Sequence, residues 1–138
     1  MNFYTDYEIE KLRLDARHYN LDASDRFFTD SLCSMRMKLN GCGPARWSDT
    51  KRKALTDALK RYEVCYAVHD DDYSAPHIVS RKQADKRLKR NMLKVWKKDF
   101  GFWRWFSRAG RIERLVIIPT IYNAVVLGGK EAWEACEV

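Results

Sequence analysis

The chain has 138 residues, of which 46% are hydrophobic and 33% charged, and its formal net charge at pH 7 is +7. This length suits one domain with its own core, and this composition excludes an intrinsically disordered chain. The longest apolar run, 115–127, is interrupted by Pro119, Thr120 and Asn123. No uninterrupted stretch therefore reaches the roughly 20 apolar residues that cross a bilayer. We expect a single domain, residues 1–138, without a transmembrane helix.

The N-terminus, MNFYTDYEIEKL, is polar and acidic, which is not typical of a secretory signal peptide. We therefore expect synthesis in the cytoplasm, with release by lysis or transport inside a phage or virus particle. The four cysteines are widely spaced and form no Cys-x-x-Cys zinc pair. They are expected to be reduced thiols.

In the N-terminal half, apolar residues recur at helical spacing, and no segment shows the period-two alternation of a strand. The spacing predicts two short helices before about Lys38, separated near residues 20–24. The stripe of the first helix is expected to include Tyr7. The segment Asn40-Gly-Cys-Gly-Pro44 predicts a tight loop, and one long helix is predicted for about 48–73.

The C-terminal half is also predicted to be helical. Ser80-Arg-Lys-Gln83 has capping-box spacing and predicts the start of a helix with Ala84, Leu88, Met92 and Val95 inward. A last helix, about 111–127, is apolar nearly all round, so we expect it in the core, ending at Gly128-Gly129. The predicted fold class is therefore all-α.

One histidine and two carboxylates are candidates for chemistry. His69 lies on the stripe of the predicted long helix, where a lone histidine is most often structural. Asp85 lies beside the stripe of the next helix, where a buried carboxylate needs a partner, and His69 on an antiparallel neighbour could supply it. Asp70 begins the acidic run 70–72 at a helix C-terminus, where the helix dipole disfavours negative charge. A bound cation would relieve that conflict.

The glycine loop is a candidate for part of a calcium site. Calcium binds six to eight oxygens, and glycines allow a loop to turn its carbonyls toward one point. Gly41 and Gly43 could act in this way together with Asp70. Alone, the same glycines are also compatible with a simple turn between helices.

Together these elements resemble the phospholipase A2 family. The resemblance rests on Gly41-Cys-Gly43, on Cys65-x-x-x-His69-Asp70-x-x-Tyr73 and on Ala84-Asp85. It is nearest to the disulfide-free type of parvovirus capsid proteins. Small bacterial and phage proteins are similar in their Gly-Cys-Gly-Pro loop and in a late Gly-Gly-x-x-Ala-Trp, here 128–133. The resemblance covers about 39–95 and this late motif, and it implies an antiparallel helix pair with additional terminal helices.

The resemblance also implies roles for individual residues. His69 would be the general base that takes a proton from water, Asp85 would orient it, and Tyr73 would orient Asp85 or the loop. Calcium would be bound by Asp70 and by three backbone carbonyls, those of Leu39, Gly41 and Gly43. Leu39 stands where the family has tyrosine, Pro44 stiffens the loop, and the stretch 43–69 is longer than in secreted members.

An aromatic-basic segment follows the motif core. Six rings within eleven residues are more than one helix can bury on one side, although most single rings of this kind belong to a core. The composition is typical of a peripheral membrane anchor, and it also fits stacking on single-stranded nucleic acid or docking on a protein. The residues are Trp96, Phe100, Phe102, Trp103, Trp105 and Phe106, with Lys97, Lys98, Arg104 and Arg108.

The function expected from the resemblance is calcium-dependent hydrolysis of glycerophospholipid acyl esters at a phospholipid membrane surface. One alternative is a non-catalytic module of the same fold that binds a partner in a phage or virus particle. Another is a basic helical nucleic-acid-binding protein, because residues 81–114 contain 13 Lys/Arg and three acids. A metal phosphohydrolase of the His-Asp type is least favoured, because it needs a second histidine ligand and only His18 and His77 remain.

Overall fold

The computed structural model describes residues 3–39 and 48–137, and all regular structure in these ranges is helical, which confirms the all-α prediction. The α-helices are α1 (Asp6–His18), α2 (Asp25–Thr29), α3 (Leu32–Lys38), α4 (Asp49–Ala58), α5 (Glu63–Tyr73), α6 (Arg81–Phe100), α7 (Arg108–Ile112) and α8 (Ile118–Glu137). Two 3-10 turns, Lys60–Tyr62 and Gly101–Trp103, and one π-helical turn, Glu113–Ile117, complete the described regular structure.

The N-terminal region contains three helices rather than the predicted two. A capping box starts α1, with Thr5 N donating to Glu8 Oε2 at 2.8 Å and Glu8 N to Thr5 Oγ1 at 3.2 Å. The second predicted helix is divided because the backbone at Asp30 is extended and Ser31 caps a new helix. Tyr7 is exposed, contrary to its predicted place on the buried stripe of α1.

The predicted long helix of residues 48–73 is interrupted between α4 and α5. Leu59 leaves helical geometry, with φ −109° and ψ 30°, and a 3-10 turn follows. The turn buries Tyr62, whose hydroxyl donates to Glu113 Oε2 at 2.7 Å, and it places Arg61 2.8 Å from Asp99. These partners are distant in sequence, so helical periodicity could not detect the interruption.

Helices α5 and α6 form the predicted antiparallel pair. Arg61 meets Asp99 at one end, whereas Tyr73 meets Asp85 at the other, so later residues of one helix face earlier residues of the next. The capping box of α6 is present, with Ser80 N donating to the Gln83 side chain at 2.9 Å. The four residues of α6 that were predicted to point inward, Ala84, Leu88, Met92 and Val95, are all buried.

The last helix differs from its prediction in length and position. It runs from α7 through the π-helical turn into α8, and it continues past Gly128 and Gly129 to Glu137. Pro119 accounts for the π-helical turn, because a proline has no N–H and its ring clashes with the carbonyl four residues before it. Ile118 and Ile121 are buried, but the side chains of Leu115, Val116 and Leu127 are exposed. The prediction of a core helix was therefore wrong for one side of it.

Within the described ranges, one helical stretch, Arg108–Gly129, is long and apolar enough to cross a membrane by length and composition. Of the 18 most apolar consecutive residues in this stretch, only 11% are buried in the protein. This helical stretch is longer than the apolar run 115–127 found in the sequence, because the helix already begins at Arg108. The absence of a transmembrane helix stays a prediction.

The described thiols agree with the expected reduced state. Cys33 is exposed and Cys65 is buried, and both are free. Burial raises the pKa of the Cys65 thiol well above its usual value, which keeps it protonated. Cys42 and the side chain of Cys136 lie outside what the structure describes.

Asn91 allows a test of how α6 holds the N-terminal region. Its fully buried amide accepts from Asp22 N and donates to Asp22 O, both at 2.9 Å. Asn91→Ala should lower the free energy of unfolding by about 1–3 kcal/mol, because both backbone groups lose their partner. Asn123→Ala on the exposed side of α8 is the control and should change it by less than about 0.5 kcal/mol. Urea unfolding followed by circular dichroism measures both, and equal effects would contradict the assignment.

Candidate active site

A buried histidine-carboxylate pair joins α5 to α6. His69 Nε2 lies 2.9 Å from Asp85 Oδ1, and the two side chains are only 9% and 7% exposed. The predicted contact is therefore present. An imidazole that donates from Nε2 to a carboxylate keeps its lone pair on Nδ1. The pair thus has the orientation that a general base requires.

Tyr73, one helical turn after His69, completes the contacts of the same carboxylate oxygen. Its hydroxyl donates to Asp85 Oδ1 at 2.7 Å, and its ring lies 4.1 Å from the imidazole, centroid to centroid. Burial and the neighbouring carboxylate raise the pKa of Tyr73, so the phenol stays a donor at neutral pH. The structure thus brings together His69, Asp85 and Tyr73, the three residues expected to act in catalysis.

The C-terminal helix encloses this group, which the sequence did not predict. The Trp133 ring packs edge-on against Tyr73, with centroids 5.1 Å apart. A Cβ at Gly129 would lie 2.5 Å from the Tyr73 hydroxyl, so a larger residue here would require Tyr73 to shift. Gly129 and Trp133 of the late motif therefore pack against the candidate site, and the two glycines do not end a helix.

Arg81 is a further site residue that the sequence analysis missed. Its Nε lies 3.9 Å from Asp85 Oδ2, and its guanidinium donates to the backbone carbonyl of Val126 in α8. It therefore links α6 to α8 beside the carboxylate that orients His69. The spacing of four residues between Arg81 and Asp85 on one helix was the available signal.

The three aspartates at the end of α5, residues 70–72, differ in how deeply they are buried. Asp71 and Asp72 are completely buried, and basic side chains neutralise both. Asp71 lies 2.9 Å from Lys38 Nζ and 3.3 Å from Arg26, and Asp72 lies 2.7 Å from Arg87. These cations relieve much of the conflict with the helix dipole that the sequence suggested. The three partners come from α2, α3 and α6, and no sequence pattern indicated them.

Asp70 differs from its two neighbours because it is only half-buried. Leu39 is buried and ends α3 directly after Lys38, which contacts Asp71. The C-terminal end of α3 therefore lies beside the end of α5. The expected calcium ligands Gly41 and Gly43 lie outside the described residues.

Within the ranges 3–39 and 48–137, no group of three His, Cys, Asp or Glu side chains converges as a metal site would. The expected calcium site requires only one such side chain, Asp70, because its other ligands are backbone carbonyls. The described donors of this expected site are the Asp70 carboxylate and the Leu39 carbonyl. Both are oxygen ligands, which fit calcium rather than zinc, because zinc prefers sulfur and imidazole ligands.

The aromatic-basic segment is only partly a surface. Trp96 is 1% exposed, and its Nε1 donates to Gly110 O at 2.7 Å, so its assignment to an exposed face was wrong. Phe100 is half-buried against the core beneath Arg61. Four rings are exposed: Phe102, Trp103, Trp105 and Phe106. Among the basic residues, Lys97, Lys98 and Arg108 are exposed and Arg104 is half-buried.

Comparisons with protein-family models, curated proteins and solved structures found no match to this chain. The phospholipase A2 resemblance therefore stays a hypothesis that rests on the motif residues.

The neighbouring glycines of α8 provide a matched test of the contact with Tyr73. Gly129→Ala should lower the free energy of unfolding by about 1–3 kcal/mol, because the new methyl group overlaps the Tyr73 hydroxyl. A Cβ at Gly128 meets nothing within 4 Å, so Gly128→Ala should raise it by about 0.5–1 kcal/mol through helix propensity. Chemical denaturation measures both. If both substitutions stabilise the protein, α8 does not pack on Tyr73.

The pKa of Asp72 generates a pH-dependence prediction. Burial raises this pKa from 3.8 to about 6, against the opposing charge of Arg87. Between about pH 4 and pH 6 the folded state thus binds more protons than the unfolded state, and the contribution of Asp72 to stability falls as pH rises. The Asp72→Asn variant has no titratable group at this position. The free energy of unfolding of this variant, relative to that of the unchanged protein, should therefore increase from pH 4 to pH 7. Denaturation at both pH values, with Asp25→Asn on α2 as the exposed control, measures this change. A relative stability that does not vary with pH would contradict the assignment.

Proposed function

We propose that this chain is a calcium-dependent hydrolase of glycerophospholipid acyl esters that acts at a membrane surface. The observation that supports it most directly is the buried contact of His69 with Asp85, at 2.9 Å, with Tyr73 on the same oxygen. A carboxylate that orients an imidazole is the arrangement that general-base catalysis of ester hydrolysis requires. The glycine loop, Asp70 and the resemblance of residues 39–95 to phospholipase A2 support the choice of calcium and of lipid.

In this proposal, His69 transfers the proton. Its Nδ1 accepts a proton from water while the water oxygen bonds to the ester carbonyl carbon. Asp85, through Nε2–H, keeps the tautomer and stabilises the imidazolium that forms. When the bond to the leaving alkoxide breaks, the same proton passes from Nδ1 to that oxygen. The products are a fatty acid and a lysophospholipid.

Tyr73 and Arg81 act on Asp85 rather than on the substrate. The Tyr73 hydroxyl and His69 Nε2 both contact Oδ1, and Arg81 lies near Oδ2. These contacts hold the carboxylate in one orientation, which in turn limits rotation of the imidazole. We therefore assign positioning roles to both residues.

Asp70 would be the charged calcium ligand, with the carbonyls of Leu39, Gly41 and Gly43. When bound, calcium supplies polarisation of the ester carbonyl and stabilisation of the negative charge on its oxygen. Asp71 and Asp72 are engaged with arginine and lysine side chains, so they are poor candidates for the same role.

Substitutions of the base, the orienting residue and the metal ligand should have different effects on activity and on calcium affinity. His69→Gln should abolish fatty-acid release from anionic vesicles but keep calcium affinity, because glutamine has no suitable proton acceptor. Asp85→Asn should reduce turnover about 100-fold or more with little change in calcium affinity, because the imidazole tautomer is no longer fixed. Asp70→Asn should weaken calcium binding and lose activity with it. Fatty-acid release is measured with calcium and with chelator, and calcium binding by calorimetry.

Two exposed residues provide matched controls. His77→Gln changes a histidine in the loop between α5 and α6, and Asp25→Asn changes a carboxylate on α2. Both variants should keep full activity and calcium affinity. Absence of calcium-dependent release by the unchanged protein would contradict the proposal and favour the non-catalytic module.

A further inference from the structure

The exposed side of the last helix extends the surface formed by the exposed rings. Leu115 is 61% exposed and Leu127 is 84% exposed, and both lie on a helix that is apolar over most of its length. Arg111 in α7 donates to the backbone carbonyls of Trp105 and Phe106 at 3.1 and 2.9 Å, so the start of this helix lies beside the segment that carries the rings. We name the whole set the apolar surface: Phe102, Trp103, Trp105, Phe106, Ile112, Leu115, Val116 and Leu127.

Contacts among the rings show that they form a cluster at the surface. The Phe102 and Trp103 rings lie 5.2 Å apart, and the Trp103 and Phe106 rings 5.7 Å apart. All three side chains are at least 65% exposed. A contiguous exposed apolar patch of this kind is typical of an interaction site, because leaving it in water is unfavourable.

The charge beside the apolar surface is positive. The nearby acids, Asp99 and Glu113, are engaged by Arg61 and by the hydroxyls of Tyr19 and Tyr62. By contrast, the basic side chains Arg104 and Arg111 donate to neutral backbone carbonyls, which leaves their charge uncompensated by these contacts. The surface therefore complements an anionic partner.

The shape and chemistry of the surface favour an anionic bilayer as that partner. Bases of single-stranded nucleic acid stack on rings, but the aliphatic side chains Ile112, Leu115, Val116 and Leu127 offer no such platform. A second copy would bring two positively charged surfaces together. A membrane interface accepts both aromatic and aliphatic groups while lysine and arginine reach the head groups.

We infer that the apolar surface inserts into the interface of an anionic bilayer, with the helix Arg108–Gly129 lying in the plane of the membrane. Ile118 and Ile121 on the opposite side are buried in the core, so this helix cannot cross the bilayer while the fold is intact. The stretch ends at Gly129, which contacts Tyr73. This inference extends the proposed hydrolase, but vesicle binding is measurable without turnover.

The experiment measures co-sedimentation with phosphatidylcholine vesicles that contain or lack phosphatidylglycerol. All proteins also carry His69→Gln, so that lipid hydrolysis cannot alter the vesicles. The double variant Leu115→Ser, Leu127→Ser should lose at least about tenfold in affinity for the anionic vesicles, because two exposed leucines no longer enter the interface. The matched control is Leu14→Ser, on the 64% exposed leucine of α1, and it should bind unchanged.

The outcomes are distinguishable. Binding that requires phosphatidylglycerol and depends on Leu115 and Leu127, but not on Leu14, supports the inference. Absence of vesicle binding, or an equal loss in the Leu14 variant, would overturn it. Concentration-dependent dimers that Leu115→Ser disrupts, without vesicle binding, would assign the surface to a second copy. If vesicle binding is confirmed but the protein without His69→Gln releases no fatty acid, only the hydrolase proposal fails.

Discussion

The buried carboxylate of Asp85 is the constraint on which the arrangement of α5, α6 and α8 depends. A carboxylate removed from water is costly unless polar groups replace its hydration. His69 and Tyr73 supply two hydrogen bonds to one oxygen, which fixes the register of α5 against α6. Tyr73 can reach Asp85 only if α8 leaves room for its hydroxyl, and Gly129 provides that room. The same contacts that satisfy the charge therefore also orient the imidazole.

The three consecutive aspartates of α5 differ in burial. Asp71 and Asp72 are fully buried and bind side chains from three other helices, so they tie the N-terminal region to the antiparallel pair. Removing one member of such a buried ion pair is strongly destabilising. Asp70, next to His69, is only half-buried, and it is the aspartate that the proposed calcium site uses. Adjacent residues of one helix thus serve stability and the proposed chemistry separately.

Helical periodicity and capping patterns predicted the fold class, the antiparallel pair and the start of α6, because these features depend on local spacing. The contact of His69 with Asp85 was also predictable, since a carboxylate beside an apolar stripe needs a partner. The break at Leu59 and the burial of Asp72 depend on partners distant in sequence, which spacing cannot indicate. The long apolar run of the last helix was assigned to the core because composition records apolarity, not whether the rest of the protein covers it.

The last helix packs both on the core and on the proposed site. At Ile118 and Ile121 it is anchored in the core, and at Gly129 it limits the space around Tyr73. Before Ile118 it exposes Ile112, Leu115 and Val116, and between Ile121 and Gly129 it exposes Leu127. A helix rises about 1.5 Å per residue, so a rigid element of this length transmits its orientation over tens of ångströms. If its exposed side lies in a membrane, the position of the imidazole relative to the lipid is set by the same helix. The same rigid helix would then contact the membrane and position the proposed active site. Membrane binding and catalysis would therefore require no conformational change of the protein.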